Sequence, residues 1–281
     1  IFPAVYDGDT PASKRQSIRK TSRCLLSNPD MLHTAILPHH TKWEAFFRGL
    51  DYVVIDEIHT YRGVFGSHIA NVIRRLKRIA RFYGSSPIFI LTSATIANPE
   101  DHGRALIEDE IISIHQDDAP RGEKTTILYN PPVMHQETGI RKSASSEIIK
   151  LGNTLLDNGV QILAFSRSRR GVEMLLRQLR LSRKDDPSLF QAYRSGYLAT
   201  DRRRIERNLR DGTLRAVAAT NALELGVDIG GMDAVLMTGF PGTIAGMRQQ
   251  SGRAGRKAEP SLALLVATGS PIDQYLMRHP E

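Results

Sequence analysis

The chain has 281 residues, 41% of them hydrophobic and 24% charged, enough for one large or two ordinary domains with real cores. Lys and Arg number 38 against 30 Asp and Glu, a formal charge of +8 that favours polyanionic partners, although basic residues spread over a solvated surface give the same total. Apolar runs stay well short of the roughly 20 residues a bilayer-crossing helix needs, and the lone Cys24 excludes an internal disulfide and, with no histidine at ligand spacing, a Cys/His zinc site. No membrane association is expected, and a soluble chain in a reducing compartment is: cytoplasmic beside the nucleoid in a prokaryote, nuclear in a eukaryote. The chain opens on Ile1 rather than Met and continues with neither a charged leader nor an apolar signal core, so a cut inside a longer protein is expected.

Short apolar runs bounded by polar turns predict the strands, beginning with 52–55. Ahead of it, Trp43, Phe46 and Phe47 sit at helical spacing, which favours core packing over stacking on bases. Val72, Ile73, Leu76, Ile79 and Ala80 then mark one face of a helix stopped at Tyr83-Gly84, with Arg74, Arg75, Lys77, Arg78 and Arg81 as its solvated face. A second strand is predicted over 88–91. The polar Asp117-Asp118-Ala119-Pro120-Arg121-Gly122-Glu123 segment, which neither periodicity crosses comfortably, divides the chain into domains 1–117 and 118–281. Beyond it come a strand over 126–129 before Pro131-Pro132, a helix around 147–156 and a strand over 161–165. A helix follows with Val172, Leu175, Leu176 and Leu179 at i, i+3, i+4 and i+7. Arg202, Arg203 and Arg204 read as a solvated face opposite Ile205 and Leu209. Strands over 216–219, 234–237 and 262–267 complete the pattern. The runs are continuous rather than alternating, which predicts strands buried on both faces, and strand-helix alternation predicts an α/β fold with parallel sheets.

Four segments carry candidate chemistry. Val53-Val54-Ile55-Asp56-Glu57-Ile58-His59 ends an apolar strand in two carboxylates, where the ligand crevice of an open α/β sheet lies. Asp56 there can hold Mg²⁺ while Glu57 orients and deprotonates the water that attacks a γ-phosphate; a strand-end cap or surface acid pair has the same pattern. Ser93-Ala94-Thr95 closes the next strand and would bring two hydroxyls within reach of Asp56, or simply cap the following segment. Gln249-Gln250-Ser251-Gly252-Arg253-Ala254-Gly255-Arg256 carries two arginines three apart that can project side by side from a closely packed helix start. Guanidinium pairs suit a transferring phosphoryl group, or the phosphates of a nucleic acid. The 219–229 segment, from Ala219-Thr220-Asn221 to Gly226-Val227-Asp228-Ile229, leads from a strand into a turn with a glycine where backbone can approach a ligand, a pattern that ordinary packing also explains.

Taken in order, these four segments resemble motifs II, III, V and VI of the superfamily 2 DEAD/DEAH-type helicases, while Ser27-Asn28-Pro29-Asp30 resembles motif Ib and Ile162-Leu163-Ala164-Phe165-Ser166-Arg167-Ser168 motif IV. Tyr6-Asp7-Gly8-Asp9-Thr10, the 32–43 stretch with Leu37-Pro38-His39-His40, Tyr61-Arg62-Gly63-Val64-Phe65-Gly66-Ser67-His68 and 220–229 are similar to the bacterial mitomycin-repair helicases and their fungal RecQ-like relatives.

The resemblance implies two RecA-like lobes, the first incomplete, with ATP between them. It implies a DNA helicase moving 3′ to 5′ in repair, with single-stranded or partly duplex DNA as partner; RNA is the alternative within the same class, and a non-catalytic nucleic-acid-binding module the alternative outside it. It assigns Asp56 to Mg²⁺, Glu57 to the catalytic water, His59 to coupling between the lobes, and Ser93 and Thr95 to coupling as well. Gln249, Arg253 and Arg256 face the nucleotide, with Arg256 as arginine finger, and Gly226 and Asp228 touch its phosphate and ribose side. Asn28, Asp30, Ser166, Arg167, Thr220 and Asn221 lie along the strand's backbone. Lobe closure is implied as a hinge at 118–123. There are departures from the family pattern. No G-x-x-x-x-G-K-[ST] occurs, so weak ATP binding by this chain is expected; Gln250 stands where many relatives carry arginine, which weakens assignment to the DEAD-box RNA branch but fits the repair-helicase one; and the cysteine-rich C-terminal domain expected of that branch is not found within these residues.

Overall fold

Residues 1–116 form one unit and residues 117–281 another in the computed structural model, which describes residues 2–94, 96–114, 116, 122–183, 186–223, 229–255 and 259–280. Thr95, Gly226, Asp228, Arg256 and the 117–121 part of the linker lie outside the described residues, and with them the roles assigned to them. Among the described residues no helix is long and apolar enough to cross a membrane.

The first unit runs β1 (Ala4–Val5), α1 (Ala12–Thr21), β2 (Leu25–Leu26), α2 (Pro29–Met31), two irregular turns of helix over Leu32–Trp43, α3 (Glu44–Arg48), β3 (Tyr52–Ile55), a 3₁₀ turn (Ile58–Thr60), α4 (Gly63–Phe82), β4 (Ile88–Leu91) and α5 (Pro99–Ile107). Helix α4 buries Ile69, Ala70, Val72, Ile73, Leu76 and Ala80, a stripe at helical spacing. Trp43 and Phe47 are both 1% exposed; Trp43 meets Tyr6 edge-on at 5.0 Å, so these aromatics are core. The polar face of α4 is largely occupied by its own unit. Arg74 pairs with Glu108 at 2.5 Å, Lys77 with Asp109 at 3.2 Å, and Arg75 with the His33 ring at 2.7 Å.

Strands β3 and β4 pair in parallel from Tyr52 opposite Ile88 to Ile55 opposite Leu91, and here the expectation of burial on both faces is wrong. Val53, Ile55, Phe89 and Leu91 pack inward, but Tyr52, Val54, Ile88 and Ile90 are 45–63% exposed. Side chains alternate across a strand, and in this two-stranded sheet packing covers one side. Apolarity on both sides of a strand states what it is suited to, not what covers it.

The second unit runs β5 (Lys124–Tyr129), β6 (Val133–His135), β7 (Ile140–Arg141), α6 (Ala144–Asp157), β8 (Ile162–Phe165), α7 (Arg169–Ser182), β9 (Phe190–Tyr193), α8 (Ala199–Arg210), β10 (Ala216–Ala219), β11 (Ala234–Thr238), α9 (Ile244–Gly252), β12 (Ser261–Val266) and α10 (Pro271–Arg278). Six strands make one wholly parallel sheet in the order β5-β12-β11-β8-β10-β9, while β6 and β7 form a separate antiparallel hairpin. Here both faces are covered. Ile162, Ala164, Ala216, Ala218, Leu236 and Leu264 pack with α6 and α7, and Leu163, Phe165, Val217, Ala219, Val235 and Leu265 pack on the other side with Ile205 and Leu209 of α8. Strand β8 starts one residue later than predicted. Gln161 instead turns its buried amide onto the Leu209 and Leu214 carbonyls, at 2.9 and 2.6 Å.

Leu163 is fully buried on the central strand, so Leu163→Ala is expected to cost about 2–5 kcal/mol through lost burial and the cavity left behind. The midpoint shift in urea unfolding measures it; a loss under about 1 kcal/mol would mean the sheet is not packed as described.

Candidate functional site

At the end of β3 the backbone turns sharply out of the strand. Glu57 takes the left-handed conformation (φ 56°, ψ 41°), uncommon for a residue with a β-carbon, and turns the chain from β3 into the Ile58–Thr60 turn. Its amide donates to Asp56 Oδ1 at 2.9 Å, and its carbonyl accepts from the Thr60 amide at 2.9 Å and the Thr60 hydroxyl at 2.8 Å. The turn is tied to the neighbouring strand by the Ile58 amide on the Thr92 carbonyl at 3.0 Å, and the His102 Nε2–H donates to the Ile58 carbonyl at 2.7 Å.

Asp56 is held by one oxygen. Oδ1 accepts both the Glu57 amide and the Thr92 hydroxyl, while Oδ2 makes no hydrogen bond among the described residues and the residue is exposed. Among the described residues no group of three His, Cys, Asp or Glu side chains is arranged to hold a metal ion. A single exposed carboxylate oxygen fits Mg²⁺, which keeps several waters and takes its other ligands from substrate phosphates. The hydroxyl at Asp56 is a correction. Ser93, expected to supply it, donates to the Ala94 carbonyl at 2.8 Å, and Thr92 one position earlier reaches the carboxylate. A period of two along the strand could have found Thr92: it follows Leu91 on the side of the sheet opposite to that residue.

His59 joins the two motifs of this unit. It is buried, and its Nδ1 accepts the Ala94 amide at 3.1 Å, so that nitrogen carries no proton and the ring is neutral. The Glu57 carboxylate lies 3.3 Å from the same nitrogen. Burial pushes the His59 pKa down, Glu57 pulls it back, and the net direction is below the ordinary value of 6.5, in keeping with the neutral ring. Tyr61 moves up, through burial first and then the charges of Asp56 and Glu57. Asn28 and Asp30 belong to a different turn: Asn28 caps α2 by accepting the Met31 amide at 2.9 Å, and both are exposed.

In the second unit the parallel sheet gathers the candidates at one edge. Ser166 and Arg167 follow β8, and Thr220 and Asn221 follow the adjacent β10, with the Ser166 amide donating to the Ala219 carbonyl at 2.9 Å. Asn221 is exposed. Thr220 is buried at 6%, and its hydroxyl accepts the Ala222 amide at 3.3 Å, which shapes the turn after β10. Arg253 corrects a second expectation. It lies at the C-terminal end of α9, not at a helix start. Gly255, at φ +115°, accompanies the helix's end, and the chain there pairs with Met232 through the Met232 amide on the Arg253 carbonyl and the Gly255 amide on the Met232 carbonyl, both at 2.9 Å. Gln249 and Arg253 are half-buried, and Gln250 is 6% exposed, an interior position where an arginine charge would be costly.

The DEAD/DEAH box helicase family profile matches residues 2–102, and that of the helicase conserved C-terminal domain residues 145–258. The chain is 52% identical over 278 residues to the uncharacterized ATP-dependent helicase YprA of Bacillus subtilis, covering 98% of this chain and 37% of that protein. It is 46% identical over 284 residues to the ATP-dependent helicase HRQ1 of Saccharomyces cerevisiae, covering 98% of this chain and 26% of that one. The crystal structure of the DUF1998 helicase MrfA bound to DNA superposes on the whole chain with a TM-score of 0.95 at 52% identity, and the match covers 38% of that protein. The chain thus spans well under half the length of the relatives it matches.

Because the folded state binds the His59 proton less readily than the unfolded chain, its contribution to stability is complete above pH 6.5 and drains away as pH falls below it. Thermal unfolding of His59→Gln between about pH 7.5 and about pH 5.5 is expected to lose part of the wild-type decline on acidification. Equal declines in both proteins would overturn the neutral-acceptor role.

Proposed function

The chain belongs to the DEAD/DEAH-type helicases of superfamily 2, and on that premise we propose that it is the motor core of an ATP-dependent DNA helicase acting in DNA repair. The observation that carries the reading is the β3 crevice, where adjacent carboxylates differ in their environment. Asp56 is fixed through one oxygen while the other makes no hydrogen bond among the described residues, and Glu57 is turned away from the strand by its left-handed backbone and lies beside a neutral His59.

In this reading Asp56 Oδ2 is the protein's ligand to Mg²⁺, which when bound neutralises charge on the β- and γ-phosphates. Glu57 orients the attacking water and accepts its proton. His59, through the Ala94 amide, passes the state of the crevice to the segment after β4. Arg253 and Arg256 are proposed as phosphate-binding guanidinium groups. Ser166, Arg167 and Asn221 are proposed as contacts to the backbone of one nucleic-acid strand, with Asn28 and Asp30 serving the same strand from the first unit. DNA is favoured over RNA because a relative of 52% identity is solved bound to DNA. Movement 3′ to 5′ is part of the same proposal.

ATP hydrolysis by the full-length protein, with and without single-stranded DNA, tests this reading. Strand-stimulated turnover is expected, falling by about 10²-fold or more in Glu57→Gln, and matched DNA and RNA strands in competition are expected to favour DNA. Tight strand binding without any hydrolysis would identify a non-catalytic binding module instead.

A further inference from the structure

Arg167 and Asp273 are 106 positions apart in sequence, and the folded second unit brings them together at the carboxyl edge of the sheet. Asp273, in the first turn of α10, is 0% exposed, yet both of its carboxylate oxygens are hydrogen-bonded. Oδ1 accepts the Phe240 amide at 3.1 Å, from the turn after β11, and the Arg167 Nη2–H at 3.1 Å, from the segment after β8. Oδ2 accepts the Thr268 amide at 2.8 Å and the Thr268 hydroxyl at 2.6 Å, from the segment after β12. Burial pushes its pKa up, but the Thr268, Phe240 and Ser270 hydrogen bonds outweigh burial and hold the carboxyl below its ordinary range, so it is charged. The next residue, Gln274, exchanges hydrogen bonds with Asn130 after β5, at 3.2 and 3.1 Å, and donates to the Thr268 carbonyl at 2.8 Å. Two consecutive residues of α10 therefore fasten the ends of four of the six strands.

Arg167 differs from the other members of this network in reaching out of it. Its Nη2 donates to both Asp273 and the Phe240 carbonyl, while 46% of the side chain remains exposed and its Nε and Nη1 make no hydrogen bond among the described residues. Gly239 makes room for this arrangement. Its φ is +73°, and a β-carbon there would come within 2.8 Å of Asp273 Oδ2, 3.0 Å of Thr268 and 3.4 Å of Arg167 Nη2. Nη2 of the guanidinium is thus fixed to buried protein while Nε–H and the Nη1 hydrogens remain for a further acceptor, the geometry of a preorganised oxyanion ligand.

We infer that Asp273 is a positioning residue for nucleic-acid binding: it anchors Nη2 of Arg167 so that the remaining N–H donors meet a phosphate of the bound strand. This rests on the reading of Arg167 as a strand contact. Free arginines on a surface lose side-chain entropy when they grip a phosphate, and an anchored one has already lost it.

The test is single-stranded DNA affinity of the full-length protein across about 50 to about 200 mM salt. Arg167→Ala is expected to reduce the slope of log affinity against log salt by about 0.7, the value for one phosphate on a single strand. Asp273→Asn is expected to reduce it by the same amount, and the double variant by no more than either alone. Arg167→Lys keeps the charge but loses the planar group that can hold Asp273 and a phosphate at once, and should bind roughly tenfold more weakly. A purely structural Asp273 would lower the melting temperature, leave the salt slope of the folded protein unchanged and add its effect to that of Arg167→Ala. That result, or wild-type affinity in Arg167→Lys, overturns the inference. Wild-type binding by Arg167→Ala would overturn the underlying reading of Arg167 as a strand contact instead.

Discussion

Strands β8, β10 and β11 are buried on both faces, and their side chains supply almost nothing but methyl and methylene groups to the helices above and below. Polar chemistry in such a sheet is pushed to the strand ends, because a polar side chain on either face would be desolvated without a partner. All six strands run the same way, so their carboxyl ends form one edge, and the segments after β8, β10, β11 and β12 emerge side by side along it. That edge holds Ser166, Arg167, Thr220, Asn221, Phe240 and Thr268. The location of the second unit's polar residues is a consequence of how its apolar residues pack.

Segments leaving a sheet edge carry amide groups that the ladder no longer satisfies, and the two units meet this demand with a carboxylate each. Asp56 accepts the amide of Glu57 and the hydroxyl of Thr92; Asp273 accepts the amides of Phe240 and Thr268. What separates them is solvent. Asp273 is fully enclosed and both its oxygens are occupied, which makes it a fixture of the fold, whereas Asp56 is exposed and keeps one oxygen available to a ligand. The left-handed Glu57 next to Asp56 carries a backbone conformation costing on the order of 1–3 kcal/mol, and such strain persists where surrounding bonds over-determine it. Here those bonds are the Thr60 hydroxyl and amide on its carbonyl and the Ile58 amide on the neighbouring strand.

Charge behaves in the same context-dependent way. The arginines and lysine of α4 look in sequence like a basic stripe suited to a polyanion, yet Glu108 and Asp109 beyond α5 take up Arg74 and Lys77. Arg167 is one residue among many arginines, and its anchoring by a buried carboxylate is what distinguishes it.

The α/β class, the parallel sheet and most strand positions were legible in the sequence, since runs such as Leu163-Ala164-Phe165 and Val217-Ala218-Ala219 are short, continuously apolar and bounded by polar turns. The strand-end carboxylates Asp56 and Glu57 were legible for the same reason, because the apolar run stops there. Burial of β3 and β4 was not: Val54 and Ile90 are apolar but exposed, and only the packing partner decides that. Nor did the sequence reveal that Thr92 rather than Ser93 reaches Asp56, that Arg253 ends a helix, or that Asp273 holds Arg167. Hydrophobic periodicity is local, a property of neighbours along the chain, and so the sequence by itself determined most of the strands and helices, though not the short or more polar β1, β2, β6, β7 and β9. A hydrogen bond between residues 106 apart depends on the order in which strands lie side by side, and that order was decided only by the tertiary packing of the helices on the sheet.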